Sequence, residues 1–392
     1  MMMRNSKVTR EGKYEPAKNA KMNYSTMVAI RANIVRNAGF ALGQALTIAI
    51  RYSMVRLQGG DRIPSQRGEE GEVGLMAEVH ATSSGLKALT SDLATAHMED
   101  ARRACGGHGY SWCGGIVDIL TTTLQDVTVE GENTILHLQT SRWLLKTILA
   151  ALKTKDLSAV PAGLRPALQD VNAFEQERAT IVPGQPVTGE TLVAAFWHRE
   201  ARVLQEVVTR ILKDGAGEEA MAKSQVRMVE LSRTHGEGML VRNFFEALAK
   251  EEQTIVSKGQ DPAKGYLPVL KQLAELHAIH RLLEQAGDFT EDGYVSRRQV
   301  VWLRERRDVL IDGLRYEIIG LVDAYDLSDN QLNSAIGRYD GRVYESLYEW
   351  AKYGMSIMEK GSQGGVLGFD EVLKDVLAEG RRINGVVVAP KL

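Results

Sequence analysis

Ala104-Cys105-Gly106-Gly107-His108-Gly109-Tyr110, followed by Val129-Glu130-Gly131-Glu132-Asn133-Thr134 and then Leu138-Gln139-Thr140-Ser141-Arg142, is the stretch from which the rest of the chain is read. The glycines stop one helical segment, expected over about 74–103, and Gly131 opens another, expected to Lys153. That second segment carries Ile135, Leu136, Leu138, Trp143, Leu144, Leu145 and Ile148. A Gly-Gly pair leaves backbone N–H groups unshielded by any Cβ, open to a phosphate or a planar ring edge. Glu130 stands just ahead of the second helix, where its carboxylate can point into a cleft as a base. In sequence, the glycine turn and this candidate base lie close together.

Upstream, Met27, Ile30, Ile34 and Ala38 fall on one stripe of a helix expected from Tyr24 to about Arg56 and closed by Gly59-Gly60. Three long helices with short connections imply an antiparallel bundle over 23–153. Residues 154–188 hold Pro161, Pro166, Pro183 and Pro186 and lose the apolar period, which predicts a linker crossing the surface. Val203, Leu204, Val207, Val208, Ile211 and Leu212 then form a core-facing stripe that opens a second helical domain over 189–360. Its further helices are expected at 216–256, 263–286, 296–325 and 329–357, and a tail covers 361–392. Residues 1–22 read as a loop or frayed strand segment. The fold class is all-α, as two successive helical bundles.

Bulk properties narrow the functional classes. A chain of 392 residues with 44% apolar and 25% charged residues and 9 prolines has the composition of a globular protein. The net charge of −2 offers no basic field for nucleic acid. No apolar run approaches the roughly 20 residues of a membrane span. The basic, polar start lacks a secretory core, so an intracellular chain is expected. Cys105 and Cys113 are the two cysteines, and no further Cys pair or His-x-x-x-His spacing completes a metal set, so free thiols are expected.

These segments resemble the acyl-CoA oxidases, flavoenzymes of the acyl-CoA dehydrogenase superfamily. The resemblance also rests on Tyr24-Ser25-Thr26-Met27-Val28, Ala49-Ile50-Arg51-Tyr52-Ser53, His80-Ala81-Thr82-Ser83-Ser84-Gly85-Leu86-Lys87, Asp323-Ala324-Tyr325-Asp326 and Leu332 through Gly341, all in the family's order. It covers nearly the whole chain but only the C-terminal part of the family's length. The family's N-terminal helical domain and β-domain have no counterpart here, and the connection from Gln58 to His80 is shorter than the family's.

The resemblance implies a flavin-side bundle of dehydrogenase type followed by the oxidase C-terminal helical domain. It implies FAD as cofactor and fatty acyl-CoA as substrate, with trans-2-enoyl-CoA and hydrogen peroxide as products. Glu130 matches the family's catalytic base. Arg56, Gln58, Gly106 and Gly107 match flavin-dinucleotide contacts, with Glu132 and Asn133 as further candidates. Charge at a helix start is the plainer reading of Glu132, with Asn133 as a cap, and His108 reads as a turn residue. Leu332 to Asp340 reads as a hydrogen-bonded bend packing the second bundle on the first. A homodimer is implied, as is a peroxisomal location, with Pro390-Lys391-Leu392 similar to the C-terminal address read by the import receptor. A dehydrogenase passing electrons to a carrier flavoprotein and a non-catalytic helical fragment are the alternative readings.

Overall fold

The computed structural model describes residues 7–8, 14–15, 30–44, 76–157, 160, 164–165, 168, 171–215, 217–359, 375–376 and 378–379. Among these the protein is all-α apart from a two-residue antiparallel pair, β1 (Lys7–Val8) with β2 (Tyr14–Glu15). The long helices are α1 (residues 30–44), α2 (Met76–Ala104), α3 (Asn133–Thr154), α4 (Gly189–Lys213), α5 (Gln225–Ser257), α6 (Leu267–Glu284), α7 (Arg297–Leu314) and α8 (Val343–Glu359). Local chemistry sets several ends. Thr188 caps α4 by accepting the Thr191 N–H, Ser296 and Gln299 form a capping box on α7, and Lys155 closes α3 in the left-handed region at φ 58°.

Packing runs α2 on α3, α3 on α5, α5 on α4, and α6 on both α5 and α7. One core joins Leu144, Leu145 and Ile148 of α3 to Val203, Leu204, Val207 and Ile211 of α4 and Met228 and Leu231 of α5. Each such side chain contributes about 1.5–3 kcal/mol on burial. Leu212, expected on the same stripe, is 52% exposed: it lies just past the edge of the buried arc. The two bundles therefore share a core across the segment between them. That segment is no surface crossing, because Val160, Leu164 and Phe174 are buried in this core and Val171–Gln176 is helical. Its prolines interrupt the helical period, yet Val160, Leu164, Phe174 and Ile181 are buried while Val182 is exposed.

Other expected helices are shorter than their patterns. The 216–256 segment breaks at Ser224, and the 296–325 segment stops at Leu314 before a short helix at Ile318–Asp323. The helix expected over 329–357 is the clearest correction. A single turn at Asp329–Leu332 ends at Asn333, which takes φ 44°, and α8 starts only at Val343. Between them the Ser334 hydroxyl donates to the Gly114 carbonyl at 2.7 Å and the Ala335 N–H to the Cys113 carbonyl at 2.8 Å. Leu332, Ile336 and Val343 bury against Ala38, Met98 and Ile116, so this bend docks the second bundle on the first.

A charged cluster sits where α4, α5 and α6 meet. Arg199 donates to Glu237 at 2.6 Å and pairs with Asp288 at 2.8 Å, while Arg281 and Gln285 also donate to Glu237. Arg199 and Glu237 are both 5% exposed. Burial pushes the Glu237 carboxyl up, but the Arg199 and Arg281 guanidinium groups outweigh it and hold the group below the usual carboxylate value. Among the described residues no group of His, Cys, Asp and Glu is arranged to hold a metal ion, and no helix is long and apolar enough to cross a membrane. Cys105 and Cys113 are free thiols.

Candidate active site

The site is built on one face of α2. His80, Ser84, Lys87 and Ser91 recur at i, i+4, i+7 and i+11, which places them on one side of a helix. Ser84, Lys87 and Ser91 are fully buried against the start of α3 and the turn that precedes it. In that turn Glu130 has φ 57° and Gly131 φ 111°, so two successive residues lie in the left-handed region. Gly131 has no alternative there, since a Cβ would sit 2.6 Å from Leu136 Cδ2. Glutamate at positive φ costs roughly 1–2 kcal/mol and persists only where surroundings impose it.

Two cations impose it. Arg31 of α1, 2% exposed, donates from Nε to the Glu130 carbonyl at 3.0 Å, and Lys87 Nζ donates to the Gly131 carbonyl at 2.9 Å. Arg31 Nη1 donates to Ser84 Oγ at 2.9 Å and lies 3.2 Å from His80 Nδ1. Because guanidinium has only donors, His80 Nδ1 accepts, and the ring is neutral with its proton on Nε2. Burial and then the Arg31 charge lower the His80 pKa in keeping with this. Burial also lowers Lys87, with Asp126 opposing, and lowers Arg31, with Glu130 opposing. The Glu130 side chain itself is half-buried.

Glu132 takes the helix-start role that is its plainer reading, whereas Asn133 is not the expected cap. Glu132 is the N-cap of α3: its carboxylate accepts the Ile135 N–H at 3.2 Å, and hydrogen bonding to Thr134 depresses its pKa. Asn133, 5% exposed, is not the cap. Its amide donates to the Ala88 carbonyl, Ser91 Oγ and Asp92 Oδ1 and accepts from Lys87 Nζ at 2.9 Å. Asn133 is thus held on α2 through both its amide nitrogen and its amide oxygen.

The glycine turn lies elsewhere. Gly106 (φ 60°) follows the C-terminus of α2, while Glu130 is held at residues 80–87 of the same helix. The 17 residues from Lys87 to Ala104 separate them by on the order of 25 Å at 1.5 Å per residue. Proximity in sequence was misleading because the short helix Ile116–Thr123 carries the chain back along α2. Gly107 meets no atom within 4 Å where a Cβ would stand, so its backbone is open to a planar or anionic group, as a dinucleotide contact requires. Gly109 is a packing glycine, since a Cβ there would lie 1.9 Å from the Arg102 carbonyl oxygen. Gly109→Ala is expected to destabilise the chain by about 3 kcal/mol or more; a thermal unfolding midpoint equal to that of the unsubstituted protein would contradict this packing. Arg56, Gln58 and Pro390-Lys391-Leu392 lie outside the described residues.

A cleft of about 580 Å³ opens beside the start of α3, lined by Thr134, Leu138, Val229, Arg233, Glu237 and Gln285 among others, and Glu130 is not on its wall. Reasoning from sequence missed Arg31, His80, Ser84 and Lys87 as site residues. The signal was present in the polar stripe at helical spacing from His80 to Ser91, a segment read only as part of the family resemblance.

Comparison with known proteins accounts for most of the chain. A family model described as acyl-CoA oxidase matches residues 188–377, and one described as acyl-CoA oxidase, C-alpha1 domain, matches residues 24–74 and 62–145, which include Glu130 and Gly131. Peroxisomal acyl-coenzyme A oxidase 1 of Homo sapiens is 30% identical over 400 residues, covering 90% of this chain and 58% of that protein. Among solved structures, Arabidopsis thaliana acyl-CoA oxidase 1 aligns at a TM-score of 0.75 and 28% identity, over 97% of this chain and 61% of that one. Acyl-CoA oxidase-2 of Caenorhabditis elegans, bound with FAD, ascaroside-CoA and ATP, aligns at 0.77 and 27%, over 99% and 61%. The chain thus spans about three fifths of the length of these relatives.

Proposed function

The chain belongs to the acyl-CoA oxidase family, and from that premise we propose that it acts as an FAD-dependent acyl-CoA oxidase of peroxisomal fatty-acid β-oxidation. The reaction converts acyl-CoA and O2 to trans-2-enoyl-CoA and hydrogen peroxide. The observation that carries the reading is Glu130 itself: a carboxylate-bearing residue held at φ 57° by two buried cations, at the mouth of α3 and inside the C-alpha1 match. Strain of this kind concentrates at functional sites.

In this reading Glu130 takes the α-proton of the acyl thioester on a carboxylate oxygen. That proton is weakly acidic, so the base must be aimed at it and shielded from bulk water. Arg31 and Lys87 hold the backbone and leave the carboxylate free, while Glu132 is occupied in capping α3. FAD, when bound, supplies the electron sink for the β-hydride, which no protein side chain offers. Gly106 and Gly107, together with Arg56 and Gln58, are the residues we assign to the dinucleotide of the FAD in the neighbouring subunit of a dimer; an arginine fork suits its phosphates. A homodimer and import through Pro390-Lys391-Leu392 complete the proposal.

An absorption spectrum joined to a peroxide assay tests it. Yellow protein that releases hydrogen peroxide from a long-chain acyl-CoA, with matching oxygen uptake, supports the oxidase. Colourless protein that stays inactive with added FAD rejects it for this chain, and dye reduction without oxygen uptake would make it a dehydrogenase.

A further inference from the structure

Resting on the reading of Glu130 as the base, we propose that Arg31 and Lys87 are its positioning residues, each gripping one carbonyl of the Glu130-Gly131 turn so that the carboxylate leaves the backbone in one direction. The direction of a side chain is set by the two peptide planes that flank its Cα. Beyond Glu130 those planes are joined by a glycine at φ 111°, which lacks the Cβ that would restrain rotation. Left alone, the peptide between residues 130 and 131 could flip and swing the carboxylate away. Arg31 Nε on the Glu130 carbonyl and Lys87 Nζ on the Gly131 carbonyl block that flip from two different helices.

Docking of α3 on α2 does not rest on these cations alone, although Lys87 Nζ also meets Asn133 Oδ1 at 2.9 Å. Asn133 already ties the two helices through Ala88, Ser91 and Asp92, and Thr140 Oγ1 donates to the Ala81 carbonyl at 2.7 Å. Burying a lysine at 0% exposure and an arginine at 2% is costly, and here both heads are directed at the same two-residue turn. His80 and Ser84 form the layer behind: they occupy Arg31 Nη1 and so orient Nε at Glu130. Ser84 is in turn fixed by donating to the His80 carbonyl at 2.6 Å.

The test uses the full chain with 13C-labelled glutamate, the Glu130 carbonyl and carboxylate resonances being identified by their loss in Glu130→Gln. In Arg31→Gln and in Lys87→Met these resonances are expected to shift or broaden while those of Glu132 hold, and Arg31→Lys is expected to recover part of the change. In turnover, Arg31→Gln is expected to lower kcat by about 10- to 100-fold at unchanged KM, the penalty of a misaimed group. Glu130 resonances that superimpose on those of the unsubstituted protein in folded Arg31→Gln overturn the proposal, as does a loss carried by KM. Should Lys87→Met fail to fold, Arg31→Gln decides. The spectrum needs neither flavin nor turnover, so a chain that does not oxidise acyl-CoA would remove the base reading while the grip on the turn is judged separately.

Discussion

Glu130→Gln is expected to reduce hydrogen peroxide release from acyl-CoA by about 10²- to 10⁴-fold, the contribution of a positioned general base. Glutamine matches glutamate in shape and leaves both gripped carbonyls in place, because Arg31 and Lys87 bind the backbone of the turn. Flavin content and the thermal unfolding midpoint should therefore stay where they are, and the loss should fall on kcat. Glu130→Gly supplies the contrast. It removes the carboxylate and relieves a backbone held at φ 57°, so it should be equally inactive yet more stable by up to about 1 kcal/mol. A Glu130→Gln protein that retains its full rate would show that the base lies elsewhere, whereas parent and variant that are equally inactive would return this chain to the class of non-catalytic helical fragments.

The largest effect on stability is expected from Glu237→Ala, a loss of about 3–5 kcal/mol, because it strands buried cations. Arg199 and Arg281 both spend hydrogen bonds on this one carboxylate, and Arg199 is 5% exposed. Equilibrium urea unfolding should show a lower midpoint at an unchanged slope. Replacing Glu237, Arg199 and Arg281 together by apolar residues of similar volume should cost less than Glu237→Ala alone, since no member of the triad is then left as a buried, unpaired charge. The folded carboxyl is held below its ordinary value, so its stabilising contribution is full above about pH 4.3, the unfolded value. It is lost as pH falls through the lower folded value. A loss under about 1 kcal/mol would mean that water from the neighbouring cleft, which Arg199 and Glu237 both line, solvates the guanidinium groups.

Local pattern was enough for the fold class and for the existence of the long helices. The stripes of α3 and α4 reproduce the 3.6-residue period, and the core they form is the one their spacing implied. Where helices end was less legible. Asn333 stops a segment whose residues could have continued as helix, because Ser334 and Ala335 find better partners in Gly114 and Cys113, more than two hundred residues earlier. No local rule carries information about a partner so distant. The connection at 154–188 misled for a related reason: its prolines report irregular backbone, and only the packed structure shows Val160, Leu164 and Phe174 going inward.

The amino-acid sequence by itself determined that this is an all-α chain with a glutamate at a Glu-Gly helix start, since helical period and glycine punctuation are written in neighbouring residues. Tertiary structure alone decided which groups surround that glutamate. Arg31 and Lys87 lie 99 and 43 residues from it along the chain, and the glycine turn that seemed its neighbour is carried away by the length of α2. Hydrogen bonds between groups so far apart exist only once apolar faces have packed and excluded water, because in solvent each of these cations would bind water instead of a carbonyl.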